Sequence, residues 1–325
     1  MTYFLMLQEK GWVTDMTDTV KNMRAFRGMT VRNIKIYAKD KLAIILSMLT
    51  QIIVLMLFLL FIKNTYIDGI NDTLGELKSK LETSDINALV NSWLISGVIG
   101  TAVITVALNT LSVMVHDKVE KIDYDYTASS VKGRTVVLSY FSGSVISTII
   151  ISSILLTAGL VFIALTGGFF YNFADIINIY ALVILGSISS TLILMAFTAF
   201  FKKPSTLSSF GILVSASIGF IVGAYMPVSE FSEQIQTAVN LVPGSQVTGM
   251  MRNILMQPAI DNIDQKLAGL DNHSFAQSMS DTFALKLNIF GNEVSTNFMM
   301  IYTLSVIALF LVLNIVTYRI SSKRK

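Results

Sequence analysis

Few residues in this chain could carry out enzyme chemistry. The sequence has no cysteine and only two histidines, His116 and His273, which lie far apart. A thiolate nucleophile and a disulfide are therefore excluded, and a histidine metal site is not expected. The phosphate-loop pattern GxxxxGK(S/T), the HExxH pair and the GxSxG turn do not occur. We therefore expect a protein that is not an enzyme and that binds no cofactor of its own.

The composition indicates a membrane protein. Hydrophobic residues make up 53% of the 325 residues and charged residues only 14%, whereas about 25% of the residues in an ordinary soluble domain are charged. Six apolar segments are long enough to cross about 30 Å of hydrocarbon. They cover 42–62, 93–115, 135–165, 176–201, 207–226 and 297–318. We therefore expect an all-α integral membrane protein with six transmembrane helices, the third of which is long enough to project beyond the membrane.

Lysine and arginine are unevenly distributed between the segments outside these six helices. Most of the 24 lie in residues 1–41, 116–134, 202–203 and 319–325. By the positive-inside rule, these segments face the cytoplasm. The sequence therefore predicts a multi-pass protein of the cell membrane, expected to be a bacterial plasma membrane, with both termini in the cytoplasm.

Residues 21–41 have the pattern of a basic amphipathic helix. One face carries Lys21, Arg24, Gly28, Arg32, Lys35 and Lys39. The opposite face carries Met23, Phe26, Thr30, Ile34 and Tyr37. Such a helix is typical of the inner membrane interface, where each cation near anionic lipid contributes about 1 kcal/mol. The alternative is a solvated helix that merely precedes the first span. Residues 1–20 are expected to be a weakly ordered extension.

Two longer segments are expected on the exterior side. Apolar residues at helical spacing within 67–81 predict a short amphipathic helix after the first span. Residues 227–296 begin with an apolar part that is broken at Pro243 and Gly244 and is expected to lie on the membrane or to re-enter it. The remainder, 258–295, is polar and predicts a small exposed insertion.

None of the six apolar segments, five within 42–226 and the last at 297–318, contains a charged side chain that would mark an ion-coupling site. Gln51 and Asn109 are therefore the candidates for residues that line a pathway. A repeat of small residues in the fifth span predicts close approach of another helix, either within the chain or at a subunit interface. The repeat consists of Gly211, Ser215, Gly219 and Gly223.

The loop 116–134 is dense in charges of both signs. It predicts a short charged helix between two long ones, suited to docking on a soluble partner through Val119, Ile122 and Tyr126 at helical spacing. The alternative is a solvated connector. The candidate partner-contact residues are Val119, Glu120, Ile122, Asp123, Tyr124 and Tyr126.

The order of these features resembles the membrane (permease) subunit of a type-2 ABC exporter. The resemblance covers about residues 20–320 and includes the basic helix, a coupling helix at 116–134 and a last span (297–325) with a basic tail. Segment 239–252 resembles the family's Asn-Pro element, followed by a helix that bears an arginine; here it supplies Pro243, Gly244 and Arg252. The chain departs from the family at Ala128 and Ser129, where a proline is common, and in the length of 258–295.

The resemblance implies a subunit that forms half of a translocation pathway. Its partners would be membrane lipids, a second permease copy or homologue, and soluble ATPase subunits that bind ATP and Mg; nucleic acid is not an expected partner. The cargo would be amphiphilic, such as a drug, a peptide or a lipid-linked molecule. The alternatives are a stand-alone secondary transporter or channel, and a non-transporting membrane sensor or assembly factor.

Overall fold

The computed structural model describes the backbone of residues 2–129 and 131–323, and the side chains of these residues except 2–18, 123, 127 and 318–323. The α-helices in this part of the chain are α1 (Thr2–Lys39), α2 (Lys41–Leu57), α3 (Lys63–Leu74), α4 (Thr83–Thr110), α5 (Ser112–Val119), α6 (Ile122–Ala128), α7 (Gly133–Thr166), α8 (Phe173–Thr198), α9 (Pro204–Ile221), α10 (Glu233–Asn240), α11 (Pro243–Leu267), α12 (Ser274–Thr282) and α13 (Thr296–Lys323). A π-helical turn (Phe58–Ile62) joins α2 to α3, and 3-10 turns occupy Gly75–Lys80 and Val228–Glu230. Strands β1 (Leu287–Ile289) and β2 (Asn292–Val294) form an antiparallel hairpin.

Six helical segments among the described residues are long and apolar enough to cross a membrane. They are span one (Lys41–Lys80), span two (Thr83–Val119), span three (Gly133–Thr166), span four (Phe173–Thr198), span five (Pro204–Ile221) and span six (Thr296–Thr317). Each overlaps one predicted segment, so the prediction of an all-α multi-pass membrane protein is confirmed. Span three has 34 residues, which gives a length of about 51 Å. It is therefore too long for the hydrocarbon alone.

Helix α4 is the centre of the bundle. It packs against α2, α7, α8, α9 and α11, and nearly all of its side chains are buried. Small residues allow this close packing, as is usual for helices in membranes. A Cβ atom at Gly97 would lie 2.8 Å from the backbone of Ala224, and one at Gly100 would overlap the side chain of Thr248. The chain therefore packs backbone against backbone around span two.

Helix α1 packs lengthwise along the beginning of α7. The side-chain oxygen of Asn22 accepts a hydrogen bond from the backbone N–H of Lys132 at 3.1 Å, and Asn33 lies against Gly143. Because these contacts advance together along both helices, α1 and α7 run in the same direction here. The predicted apolar face is partly correct: Tyr37 is buried, whereas Met23 is 67% exposed.

Span five ends earlier than predicted. Helix α9 ends at Ile221, and Gly223 takes a left-handed conformation with φ +67°. This turn brings the ring of Tyr225 onto Gly219. The prediction of one continuous stripe is therefore wrong for Gly223, because this residue lies beyond the helix. Packing within the chain covers the rest of the stripe in part: Gly211 lies near Leu108 of α4.

Segment 258–295 is not the exposed insertion that was predicted. Helix α11 continues through Pro258 to Leu267, α12 folds back onto it, and the hairpin packs on α10. Although the segment is polar on average, its apolar residues are buried in a hydrophobic cluster; among them are Phe275, Met279 and Phe283.

An ion pair holds the end of α11 against the start of α4. The ammonium group of Lys266 donates to both oxygens of the buried Asp85 at 2.7 Å, and Asn262 donates to the same carboxylate at 2.8 Å. Since Asp85 also caps the first turn of α4, the fold of segment 258–295 is tied directly to span two.

The substitution Gly97→Ala tests the close packing around span two. The added Cβ would clash with the backbone of Ala224, which cannot move aside as a flexible side chain can. We therefore expect a loss of about 1–3 kcal/mol in the free energy of unfolding. Gly69→Ala in α3, where a Cβ meets nothing within 4 Å, is the control and should stabilise slightly through helix propensity. The thermal midpoint of the detergent-purified protein measures both; equal midpoints for the two variants would contradict this packing.

Candidate functional site

The candidate site lies on the face of the bundle where α1 and α5 meet the start of α7, called the terminal face below. Asp117, in the last turns of α5, is buried. The guanidinium group of Arg32 in α1 donates to its two oxygens at 2.7 and 2.8 Å. The hydroxyl of Tyr140 in α7 donates to the same carboxylate at 2.6 Å. These three residues, called the terminal node below, join three helices that are distant in sequence.

Within the terminal node, the charge and the acceptor atoms of Asp117 are satisfied by Arg32 and Tyr140. A buried carboxylate is tolerated only when it is paired and its acceptor sites are filled, and Arg32 and Tyr140 supply this to Asp117. The hydrogen bond with Asp117 raises the pKa of Arg32 above its already high value. Burial raises the pKa of the neighbouring Tyr126. Arg32 is therefore charged, and the Tyr126 phenol neutral, across the physiological pH range.

The next residue of α5 anchors the same region to span four. The ammonium group of Lys118 donates to the backbone carbonyls of Ala199 at 2.7 Å and Thr198 at 3.3 Å. A cation at the carboxyl end of a helix is stabilised by the helix dipole. Lys118 and the terminal node thus fix α5 to span three, span four and α1 together.

The loop 116–134 contains a short charged helix, α6, between two long ones, but this helix does not include Val119. The helical backbone is interrupted at Glu120 and Lys121, where Lys121 takes a left-handed φ of +62°. The loop therefore contains the end of α5 and the whole of α6. Val119 and Ile122 therefore lie on different helices, and the predicted apolar stripe is not formed.

The six candidate contact residues in this loop have different surroundings. Val119 is 43% exposed and Tyr124 is 49% exposed, and Glu120 is exposed as well. Ile122 and Tyr126 are half-buried. The side chain of Asp123 lies outside the described residues. Val119 is therefore an exposed apolar residue two positions after Asp117, and Tyr124 is an exposed aromatic residue of the next helix.

The basic residues of α1 divide into two groups. Lys21, Arg24, Lys35 and Lys39 are exposed, as expected for a solvent- or headgroup-facing surface. Arg32 instead belongs to the terminal node. Sequence reasoning placed it among the interfacial cations and missed Asp117, because its partner lies 85 residues away. The available signal was an acidic residue immediately after a long apolar helix.

Arg252 lies in a second polar cluster, on the opposite face of the bundle. Its guanidinium group is fully buried and donates to the carbonyls of Val222, Gly223 and Phe283 at 3.1, 2.9 and 3.2 Å. Burial lowers the pKa of Arg252 to about 10, so it remains protonated at pH 7. Two of these carbonyls lie at the end of α9, where the helix dipole favours a cation.

The predicted break at Pro243 and Gly244 coincides with the start of α11. Pro243 occupies the first turn of the helix, where it needs no hydrogen-bond partner for its nitrogen. A Cβ at Gly244 would lie 2.6 Å from Ile104, so the start of α11 packs closely on α4. Arg252 then ties α11 to the end of span five.

The pathway candidates lie on two adjacent helices. Gln51 of α2 is buried and donates to Thr105 of α4 at 2.7 Å. Asn109 of α4 is partly buried. Ser215, in the small-residue repeat of α9, is likewise partly buried. Gln51 therefore stabilises the contact between spans one and two.

A scan against protein-family models finds no match to this chain, and a search of curated proteins finds no match either. Among the side chains that the structure describes, no group of three or more histidine, aspartate or glutamate residues could hold a metal ion. The geometry of the terminal node therefore carries the functional argument.

Arg32→Gln tests the terminal node. It leaves Asp117 buried without a cation, and we expect a loss of about 3 kcal/mol, the lower end of the range for breaking a buried ion pair, because the Arg32 side chain is 33% exposed. Lys35→Gln, on the exposed face of the same helix, should change stability by less than about 0.5 kcal/mol. Denaturation of the detergent-solubilised protein measures both; similar losses would show that the node contributes nothing specific.

Arg252→Met tests the cluster on the opposite face. It leaves three buried carbonyls without their donor, so we expect a loss of about 3 kcal/mol from hydrogen bonds to a charged group. Arg24→Met, at an exposed position of α1, is the control for the lost charge. Limited proteolysis should cleave 222–285 faster in the Arg252 variant alone; equal cleavage in both proteins would argue against this role.

Proposed function

We propose that this chain is the permease subunit of an ATP-binding-cassette exporter. Separate ATPase subunits would bind on the terminal face, which would be cytoplasmic, and a second permease copy or homologue would complete the translocation pathway. The observation that carries the proposal is the terminal node: a buried ion pair and hydrogen bond that lock α1, α5 and α7 together beside the exposed Val119 and Tyr124.

The arrangement suits the transmission of a mechanical displacement. A soluble partner that contacts Val119 and Tyr124 would move α5, and the bonds of Asp117 would carry this movement to α1 and span three. The contact of Lys118 with Ala199 would extend it to span four. Because each bond is short and the carboxylate is buried, separating these helices would cost more than moving them as one body.

The apolar faces that the chain itself leaves uncovered favour association with a second permease copy. Span two is surrounded by other helices of the same chain, whereas most of the apolar surface of spans one and five is left uncovered. A pathway would therefore run between two copies along these faces, with the partner ATPase biasing the pair between two packing states. Uncharged walls would suit amphiphilic cargo.

Tyr124→Ala and Val119→Ser test the contact with the ATPase. If these side chains form the docking surface, each variant should co-purify at least tenfold less of an ATP-hydrolysing soluble protein. ATP hydrolysis by the purified complex should fall in parallel. Phe200→Ala is the control, because Phe200 is also an exposed aromatic residue, 71% exposed against 49% for Tyr124, but lies after span four.

Two results would contradict the proposal. One is the absence of an ATP-hydrolysing partner from the wild-type preparation under conditions that retain native lipid. The other is normal association of both loop variants, which would remove 116–134 from the contact. Transport without ATP hydrolysis would instead favour a stand-alone carrier or channel.

A further inference from the structure

The hairpin formed by β1 and β2 has an unusual residue at its tip. Its two-residue turn consists of Phe290 and Gly291, which have φ values of +52° and +74°. Turns of this kind favour asparagine or aspartate followed by glycine, because the first position also requires a left-handed backbone. A bulky aromatic residue in that conformation is an outlier that carries a conformational cost. The local fold therefore does not explain Phe290.

Packing within the chain does not explain Phe290 either. Its side chain is 73% exposed, so it contributes little to the core. The turn itself is nevertheless held firmly: the backbone N–H of Phe290 donates to Thr237 in α10 at 3.0 Å, and the Asn240 side chain donates to the carbonyl of Asn288 at 2.9 Å. A strained aromatic residue is thus presented to the outside on a fixed support.

The same support carries further exposed apolar residues. In α10, Thr237 and Asn240 face the hairpin and are buried. On the other side of the helix Ile235 and Ala238 are exposed, with Ile235 49% exposed; Leu241, directly after the helix, is exposed as well, as are Glu233 and Gln234 in its first turn. Helix α10 is therefore amphipathic, and its apolar side faces away from the chain.

The position of α10 along span six indicates what covers this surface. The hydroxyl of Tyr302 donates to the carbonyl of Leu241 at 2.6 Å. Tyr302 lies in the second turn of α13, about 9 Å from the helix start. The neighbouring Phe298 and Ile301 are exposed apolar residues of the same span. The apolar side of α10 is therefore continuous with the lipid-facing surface of span six, at the depth where amphipathic interfacial helices lie.

We propose that the Phe290 turn and the exposed side of α10 form an interfacial wedge that inserts into the boundary between headgroups and acyl chains of the adjacent leaflet. The occupant of this surface is phospholipid. The wedge holds α10, and through it the start of α11, at a fixed depth in the membrane. This inference does not depend on the proposed transport function.

The lack of cysteine in the chain allows a direct test with single-cysteine variants. Phe290→Cys, Ile235→Cys and Leu241→Cys are labelled with an environment-sensitive fluorophore, and the full chain is reconstituted in phosphatidylcholine vesicles. Acyl chains brominated close to the headgroup should quench all three labels at least twofold more than chains brominated near their ends. Ser274→Cys, at an exposed polar position of α12, is the aqueous control, and Ile301→Cys is the lipid-facing control.

Two outcomes of the labelling experiment would overturn the wedge. Labels at 290 and 235 that are quenched no more than the label at 274 would place the turn in water. Labels that are shielded but insensitive to brominated lipid, together with cysteine cross-linking between two chains, would assign the surface to a second copy.

Phe290→Asn separates the wedge from a role in folding. Asparagine suits the left-handed position, so the thermal midpoint in detergent should be unchanged or raised. A clearly lowered midpoint would show that Phe290 packs within the chain and would overturn the proposal. In vesicles, the label at 235 should lose part of its shallow quenching when Phe290→Asn is added; unchanged quenching would remove Phe290 from the wedge.

Discussion

The buried carboxylate of Asp117 imposes the constraint on which the terminal face of this protein depends. A charge withdrawn from water must be neutralised and hydrogen-bonded in place, or the fold loses several kcal/mol. Arg32 and Tyr140 meet this requirement from two other helices. The need to satisfy one side chain therefore fixes how α1, α5 and α7 lie relative to one another. It also leaves the exposed residues of the adjacent loop on a rigid base.

On the opposite face, a buried cation and a second buried carboxylate are also paired with polar groups. Arg252 is a buried cation, and it is satisfied by carbonyls at the ends of two helices instead of by a carboxylate. Asp85 receives Lys266 and Asn262 from the far end of α11. The Asp85 cluster holds α11 against span two, and the Arg252 cluster holds it against the end of span five. Polar groups thus set the geometry at both faces, while the middle of the bundle is held by close packing around α4.

This division between faces and middle has a physical reason. Inside the bilayer, apolar side chains gain little by moving from lipid to protein, so helices associate through small residues and close contact. Gly97 and Gly100 of α4 provide such contacts. Near the two faces, water and headgroups allow charged side chains, and short ionic contacts become possible. The strained Phe290 turn lies on one of these faces, where we propose that its aromatic side chain inserts into the membrane interface.

The sequence by itself determined the six spans, the overall helical class and part of the amphipathic pattern of α1. These properties depend on the length of apolar runs and on local periodicity, which a single segment carries within itself. It also indicated the helix break at Pro243, since proline restricts its own backbone. Only the tertiary structure decided that Arg32 pairs with Asp117, that Gly223 lies in a turn, and that 258–295 is packed onto span two. Each of these outcomes depends on contacts between segments distant in the chain, and their free energy exists only after the helices have assembled.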